Sequence, residues 1–582
     1  MKEMTKRKYR WSKHTLRQQL SVLQGESSPS IVLENATLLN FARRRWQKAN
    51  IWIKDDRIVY VGEKMPLRTE ETEVVDCSRF RVVPGYIEHH AHPFQLYNPH
   101  SFAEYASMKG TTAFINDNLL FFLTLNKKKA LSIIEAFDEL PTSMYWWVRF
   151  DAQTELNDDE PFAYSNMIHW LEHPLVVQGG ELTSWPKVLA GDDAILHWMQ
   201  EARRRRKPIE GHLPGASEMT LAKMALLGVT CDHEAMTAEE VVRRLDLGYT
   251  VSLRHSSIRP DLPNILRELK ESGVDYFGRC LLTTDGSSPS FYEDGIIDKL
   301  IRIALKENLD PIDAYAMASY NVAVYYGLDD VLGMVAPGRI AHLNILAHER
   351  EPAPISVLAK GKWIVRDGKS CEAFPPFKWE DYGIGTFSID WDLKEEDFTY
   401  FMPFGIEMVN SVILKPYRSH VDIGNDTLRE DHDECYFMMF DREGKWFIPT
   451  MLKGFATGLK GFASSYSMTG DIILIGKSFS DMKAAFRALK KQGGGIVVVE
   501  NGEVIGRLTL DLNGFLSSKP LIELMKEEKQ FVATLKKRGY TFTDPVYSLL
   551  FFSATHLPYI RVTQKGIYDV KKKTVLFPAI MR

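Results

Sequence analysis

The sequence is poor in cysteine and has no long apolar run. Its five cysteines, Cys77, Cys231, Cys280, Cys371 and Cys435, are scattered and form no C-x-x-C pair. That spacing excludes a disulfide framework and points to a reducing cytoplasm. No stretch of about 18 apolar residues occurs, which excludes an ordinary transmembrane helix. The basic N-terminus, MKEMTKRKYRWSKHTLRQQL, lacks an apolar core of signal-peptide length and reads as an amphipathic helix lying on the main body. A net charge of −4 over 582 residues gives no reason to expect nucleic acid or a membrane surface as partner. A Gly-rich phosphate loop and internal repeats are also missing.

What is present is a change of pattern along the chain. Residues 1–30 read as the N-terminal helix and a Gly/Ser/Pro linker, and residues 31–80 as the first part of a β domain. Over 81–335, short apolar runs alternate with helix-length amphipathic segments. The runs are VVPGYIEHHAH, TTAFIND, YWWVRFDA, PLVVQGGE, KPIEGHLP, GVTCDHE, YTVSLRHS and GRCLLTTD. Eight strand candidates over such a length predict an α/β fold with a (β/α)8 barrel. Residues 336–390 return to short β runs that complete the first β domain. Residues 391–582 read as an additional α+β domain.

Polar residues cluster at the ends of the predicted barrel strands: His90 and His92 on the first, Asp117 on the second, Glu181 on the fourth, His212 on the fifth, His233 on the sixth and Asp285 on the eighth. All C-terminal strand ends of a barrel face one mouth, so residues far apart in sequence converge there. His90 and His92, spaced i, i+2, fall on one face of an extended strand, and His89 falls on the other. Imidazoles and carboxylates suit manganese or iron first, with zinc as the other option. Such an ion lowers the pKa of a bound water to about 7. Asp285 would ligate the ion and shuttle the proton, and His233 would ligate and orient the water or polarise the atom under attack. Glu181 is the bridging candidate if two ions bind rather than one. Arg254, ending the seventh strand, is a candidate substrate contact, with an ion pair as the other reading. Glu234 reads as a supporting group.

Several motifs in order resemble the adenine deaminase family of the amidohydrolase superfamily. Pro84-Gly85-Tyr86-Ile87-Glu88-His89-His90-Ala91-His92 resembles its P-G-F-I-D-x-H-x-H, Gly211-His212-Leu213-Pro214-Gly215 its G-H-A-P-G, and Asp232-His233-Glu234 its S-D-H-E. Gly180-Glu181, Thr284-Asp285 and Ala336-Pro337-Gly338-Arg339 match further family motifs. The resemblance implies a composite β domain, a metal-dependent barrel, and hydrolysis of adenine to hypoxanthine and ammonia in purine salvage. It also implies that His90, His92, Glu181, His212, His233 and Asp285 form the metal and catalytic set. The expected partner is a small purine base or similar heterocycle, and a homo-oligomer is allowed. The sequence departs from the family where Asp117-Asn118-Leu119-Leu120 replaces D-P-H-E, where Gly286 replaces the second aspartate of T-D-D, and where Ser464 to Asp471 replaces a run with H-D-S-H. These departures keep open another amino-heterocycle or cyclic amide as substrate, or a non-catalytic metal- or ligand-binding relative.

Overall fold

Two stretches of chain on either side of the barrel share one sheet. In the computed structural model, which describes residues 11–156, 160–399, 401, 403–423 and 425–582, the first stretch supplies β1 (Ile31–Asn40), β2 (Arg45–Lys54), β3 (Arg57–Gly62), β4 (Glu73–Asp76) and β5 (Arg81–Pro84). The N-terminal helix runs over Lys13–Gln24, capped by the Ser12 side chain, and Val22 anchors it against Val32, Trp52 and Val59. Residues 1–10, also part of the predicted basic segment, lie outside the described residues.

The barrel follows with β6 (Tyr86–Ala91), β7 (Thr111–Asn116), β8 (Ser143–Val148), β9 (Val176–Leu182), β10 (Ile209–Gly211), β11 (Cys231–Asp232), β12 (Thr250–Arg254) and β13 (Cys280–Thr283). These are the eight predicted runs, paired in parallel in sequence order from β6 to β13. No ladder joins β13 to β6. The seam is tied instead by Glu88, whose carboxylate accepts from Thr283 Oγ1 (2.7 Å), Thr284 N (2.8 Å) and Thr284 Oγ1 (2.6 Å). A buried carboxylate with several donors forms strong, directional bonds where backbone pairing is missing. Alternate residues fill the interior: Ile87, Ala113, Ile115, Trp147, Cys231 and Leu281 form one apolar layer with Val322 and Tyr326 of the helix Tyr320–Tyr326. That packed layer is the floor on which the polar strand ends stand.

After the barrel, β14 (Leu343–Leu346), β15 (Ser356–Ala359), β16 (Lys362–Arg366) and β17 (Lys369–Ser370) extend the first sheet, β14 pairing antiparallel with β5. A further sheet holds β18 (Phe404–Met408), β19 (Leu414–Arg418), β20 (Glu434–Phe440), β21 (Trp446–Lys453), β22 (Gly461–Ser464), β23 (Ile472–Gly476), β24 (Gly495–Glu500) and β25 (Glu503–Thr509). The helix Phe479–Gln492 packs Met482, Phe486 and Leu489 onto it. All five cysteines are free thiols. No helix among the described residues is long and apolar enough to cross a membrane.

Candidate metal centre and its walls

Four imidazoles meet above the apolar floor, in two pairs. His90 Nε2 lies 3.2 Å from His92 Nε2, and His212 Nδ1 lies 3.2 Å from His233 Nε2. Glu181 stands between the pairs. Its Oε1 is 2.8 Å from His212 Nδ1 and 3.4 Å from His233 Nε2, while its Oε2 is 3.7 Å from His92 Nε2 and 4.0 Å from His90 Nε2. Gly180 makes this possible. It takes φ = +78°, a left-handed conformation in which a Cβ would meet Glu210 O at 2.9 Å. The break in strand alternation turns Glu181 inward.

Two carboxylates orient the rings from behind. Glu210 Oε1 is 3.1 Å from His233 Nδ1, and its Oε2 is 3.1 Å from His90 Nδ1. Asp117 Oδ2 is 2.9 Å from His92 Nδ1. With Nδ1 protonated against a carboxylate, each of these rings directs an Nε2 lone pair to the centre. Lone pairs on His90 and His92 facing each other at 3.2 Å repel unless a proton or a cation lies against them.

His89 does not lie where strict alternation would put it. The β6–β7 register shifts between Glu88 and Ala91. The His89 ring lies inside the barrel, 6.3 Å from that of His90 and against Tyr326, one layer below the centre. A β-bulge resets the side-chain parity. Burial there pushes His89 down to about 3, a neutral ring.

Asp285, two residues beyond β13, has φ = 52°, sparsely populated for a residue with a Cβ. Its Oδ1 is 3.1 Å from His92 Nε2 and 3.7 Å from His90 Nε2; its Oδ2 accepts from Arg254 Nη1 at 2.7 Å. The same Nη1 donates to Glu234 Oε1 at 2.7 Å. Glu234 also reaches His212 Nδ1 (3.4 Å) and Arg259 Nη1 (3.2 Å). Arg149, the residue after β8, bonds both oxygens of Asp117 and lies 2.9 Å from Glu181 Oε2.

Charge decides whether this cluster suits a cation. Five carboxylates (Asp117, Glu181, Glu210, Glu234, Asp285) face three guanidinium groups (Arg149, Arg254, Arg259). Burial opposes ionisation, yet Arg149 and the His212 and His233 rings hold Glu181 well below the usual carboxylate range. Burial would lower His92, but its bonds to Asp117 and Asp285 raise it to about 10. The carboxylates thus demand more positive charge than the arginines supply. A divalent cation on converging nitrogen and oxygen donors meets that demand, and His90–His92–Glu181 and Glu181–His212–His233 each have ligand atoms close enough for one ion.

The cavity above the centre has a volume of about 520 Å³ and is lined by Glu181, His212, Glu234, Arg254 and Asp285 from the barrel. Its other wall comes from beyond the barrel: Val412, Ile413, Met468, Tyr547, Phe551 and His556. A second space of about 320 Å³ shares His92, Gln95, Gln153, Met468 and Leu550 and is lined mainly by apolar side chains, among them Phe94, Leu119, Leu120 and Phe515. The run Ser464 to Asp471 does reach this space, through Tyr466, whose hydroxyl bonds Gln95 Oε1 at 2.7 Å, and through Met468. Gly286 has a local reason as well: a Cβ there would stand 2.3 Å from the Tyr547 hydroxyl oxygen. The C-terminal wall occupies the space that a second aspartate would need.

The structure brings His90, His92, Glu181, His212, His233 and Asp285 together, and places Arg254 at their rim as a buried clamp between two carboxylates. Sequence reasoning missed Glu210, Arg149 and His556. Parity could have found the first two, since Glu210 lies two before His212 and Arg149 two after the inward Trp147. Nothing in the sequence signalled His556.

Comparison with known proteins agrees with this architecture. Residues 81–366 match the amidohydrolase family model, and residues 411–574 match the adenine deaminase C-terminal domain. A protein of Halalkalibacterium halodurans with a provisional adenine deaminase name is 67% identical over 100% of both chains. One of Bacillus subtilis, also provisionally named, is 49% identical over 100% of both. The adenine deaminase of Cenarchaeum symbiosum is 28% identical over 96% of this chain and 94% of its own. Identity of this extent, along the whole length and across both the barrel and the C-terminal region, places the chain in the adenine deaminase family of the amidohydrolase superfamily, whose barrels carry a divalent metal.

Proposed function

We propose that this protein catalyses hydrolytic deamination of adenine, replacing the exocyclic C–NH2 by C=O with consumption of water and release of ammonia. The observation that carries the reading is Glu181, whose two oxygens face two separate imidazole pairs with Asp285 alongside. When bound, divalent ions (manganese or iron first, zinc as the alternative, two in number) would be held by His90, His92, His212, His233, Glu181 and Asp285 and would supply Lewis-acid activation of water.

The chain's own groups do the rest. Asp285 is placed to accept the proton of the attacking water and to return it to the leaving amine. Arg254 holds Asp285 Oδ2 and Glu234 Oε1 at 2.7 Å each, so that both stay ionised and fixed in direction. Glu234 borders the cavity and, held ionised, can accept a hydrogen bond from a ring N–H or an exocyclic amino group, which orients the ring toward the nucleophile. Arg254 meets substrate only at the cavity rim, and its main work is positioning.

The test is protein loaded with manganese, iron or zinc, followed by adenine absorbance and ammonia release. Turnover that survives His90→Ala combined with Asp285→Ala would overturn the site. One observation favours a bulkier amino-heterocycle over adenine: the cavity adjoins a second, mainly apolar space. A substrate panel with higher kcat/KM for larger aminopurines than for adenine would select that reading.

A further inference from the structure

His556 lies in the turn after the helix Pro545–Phe551, in a part of the chain remote from every barrel motif. It lines the same cavity as Glu181, His212 and Asp285. Its ring meets that of His212 edge to face, with centroids 5.3 Å apart. Its Nδ1 is covered and has no hydrogen-bond partner. With Nδ1 shut off from the cavity, only Nε2 of this ring can meet a molecule bound there.

The turn that carries it is fastened on both sides. Thr555 N–H donates to Gln153 O of the loop after β8 (2.9 Å). Arg561 reaches back to Ala554 O (3.0 Å) and across to Val412 O (2.9 Å). These three bonds fix the ring opposite the barrel's candidate ligands, and none of them uses the ring itself. A neutral imidazole presents one donor and one acceptor. Its Nε2 can serve one ring position of an amino-heterocycle, donating to an unprotonated ring nitrogen or accepting from a ring N–H.

We propose that His556 is a substrate-positioning residue, hydrogen-bonding a ring nitrogen of the heterocycle on the side away from the barrel, so that the C-terminal domain completes the active site. This rests on the aminohydrolase reading above. The residue ligates no metal and transfers no proton. It sets the tilt of the ring over the centre.

The experiment compares wild type, His556→Ala, His556→Gln and His556→Phe in the full-length, metal-loaded protein. Measured are kcat and KM on adenine and larger aminopurines, metal content and thermal unfolding. Losing one hydrogen bond to a neutral group predicts a fall in kcat/KM of roughly ten-fold, carried mainly by KM. His556→Gln, which keeps a donor and an acceptor, recovers most of it, and His556→Phe, which keeps the volume, does not. Metal content stays at the wild-type value in all three. If wild type turns over and His556→Ala matches it, the inference is wrong. If His556→Ala loses metal, or if Phe rescues as well as Gln, the residue is a ligand or a packing element, and the inference is again wrong. If wild type turns over no aminopurine, the aminohydrolase reading fails first and takes this role with it.

Discussion

Glu210 should control metal affinity without touching the metal. Its two oxygens each lie 3.1 Å from an Nδ1, one of His90 and one of His233, and those rings belong to different halves of the centre. As a carboxylate it hydrogen-bonds His233 Nδ1 and lies against His90 Nδ1 as an opposite charge, so both rings favour Nδ1–H and present Nε2 lone pairs. Glu210→Gln changes the volume little but makes the two ends unequal. The amide oxygen still accepts from one ring, whereas the amide nitrogen must donate to the other. That second ring is driven to the tautomer with a proton on Nε2, which can no longer bind a cation. A hydrogen bond to a charged group contributes about 1.5–3 kcal/mol. Loss of an orienting partner behind a metal-bound histidine typically costs 10–100-fold in affinity or activity. We therefore expect metal affinity to fall about 10–100-fold, read by titration against a competing chelator. The gain in melting temperature on metal addition should shrink with it. Glu210→Gln with wild-type metal affinity and a wild-type thermal response would refute the reasoning.

Further tests follow from other parts of the molecule. Gly286→Ala drives a methyl group into the Tyr547 hydroxyl and should cost about 1–3 kcal/mol in unfolding free energy, with loss of turnover. Adding Tyr547→Phe should restore much of both, and a double variant no better than the single one contradicts the clash. Burial raises Glu528 to about 7, above the unfolded value of about 4.3. The folded state then binds this proton more tightly, so stability falls as pH rises between those values and stays level above them. Glu528→Gln should stabilise at pH 8, on the order of 1–3 kcal/mol, but not at pH 4; equal melting-temperature gains at both would rule this out. Asp285→Asn keeps the shape but removes the proton acceptor, and should lower kcat by at least about 100-fold while the fold, read by circular dichroism, is unchanged. Near-wild-type kcat would remove Asp285 from the proton path.

The barrel was legible because its signals are local. Each strand is an apolar run ending in a polar residue, and the order of those endings carries the convergence of His90, His92, Glu181, His212, His233 and Asp285 without any long-range information. Strict period-2 reasoning placed His89 on the outer face. It failed there because a bulge between Glu88 and Ala91 shifts the parity, and no residue type in that run announces the bulge. Glu210 went unnoticed although it shares a face with His212, because its strand was read for its terminal residue alone. His556 could not be found at all. Its place depends on Arg561 reaching Ala554 and Val412, and on Thr555 meeting Gln153, contacts that exist only once two domains are packed together.

The wall of the cavity comes from chain made long after its floor. Every candidate barrel ligand lies between His90 and Asp285, whereas the wall includes Tyr547, Phe551 and His556. At about 5–20 residues per second, synthesis separates Asp285 from Tyr547 by roughly 10–50 s. During that interval a nascent barrel can gather its imidazoles into an open bowl, accessible to ions and water, before anything covers it. Metal loading need not await pocket closure, since every candidate ligand precedes in the chain the wall that confines the substrate.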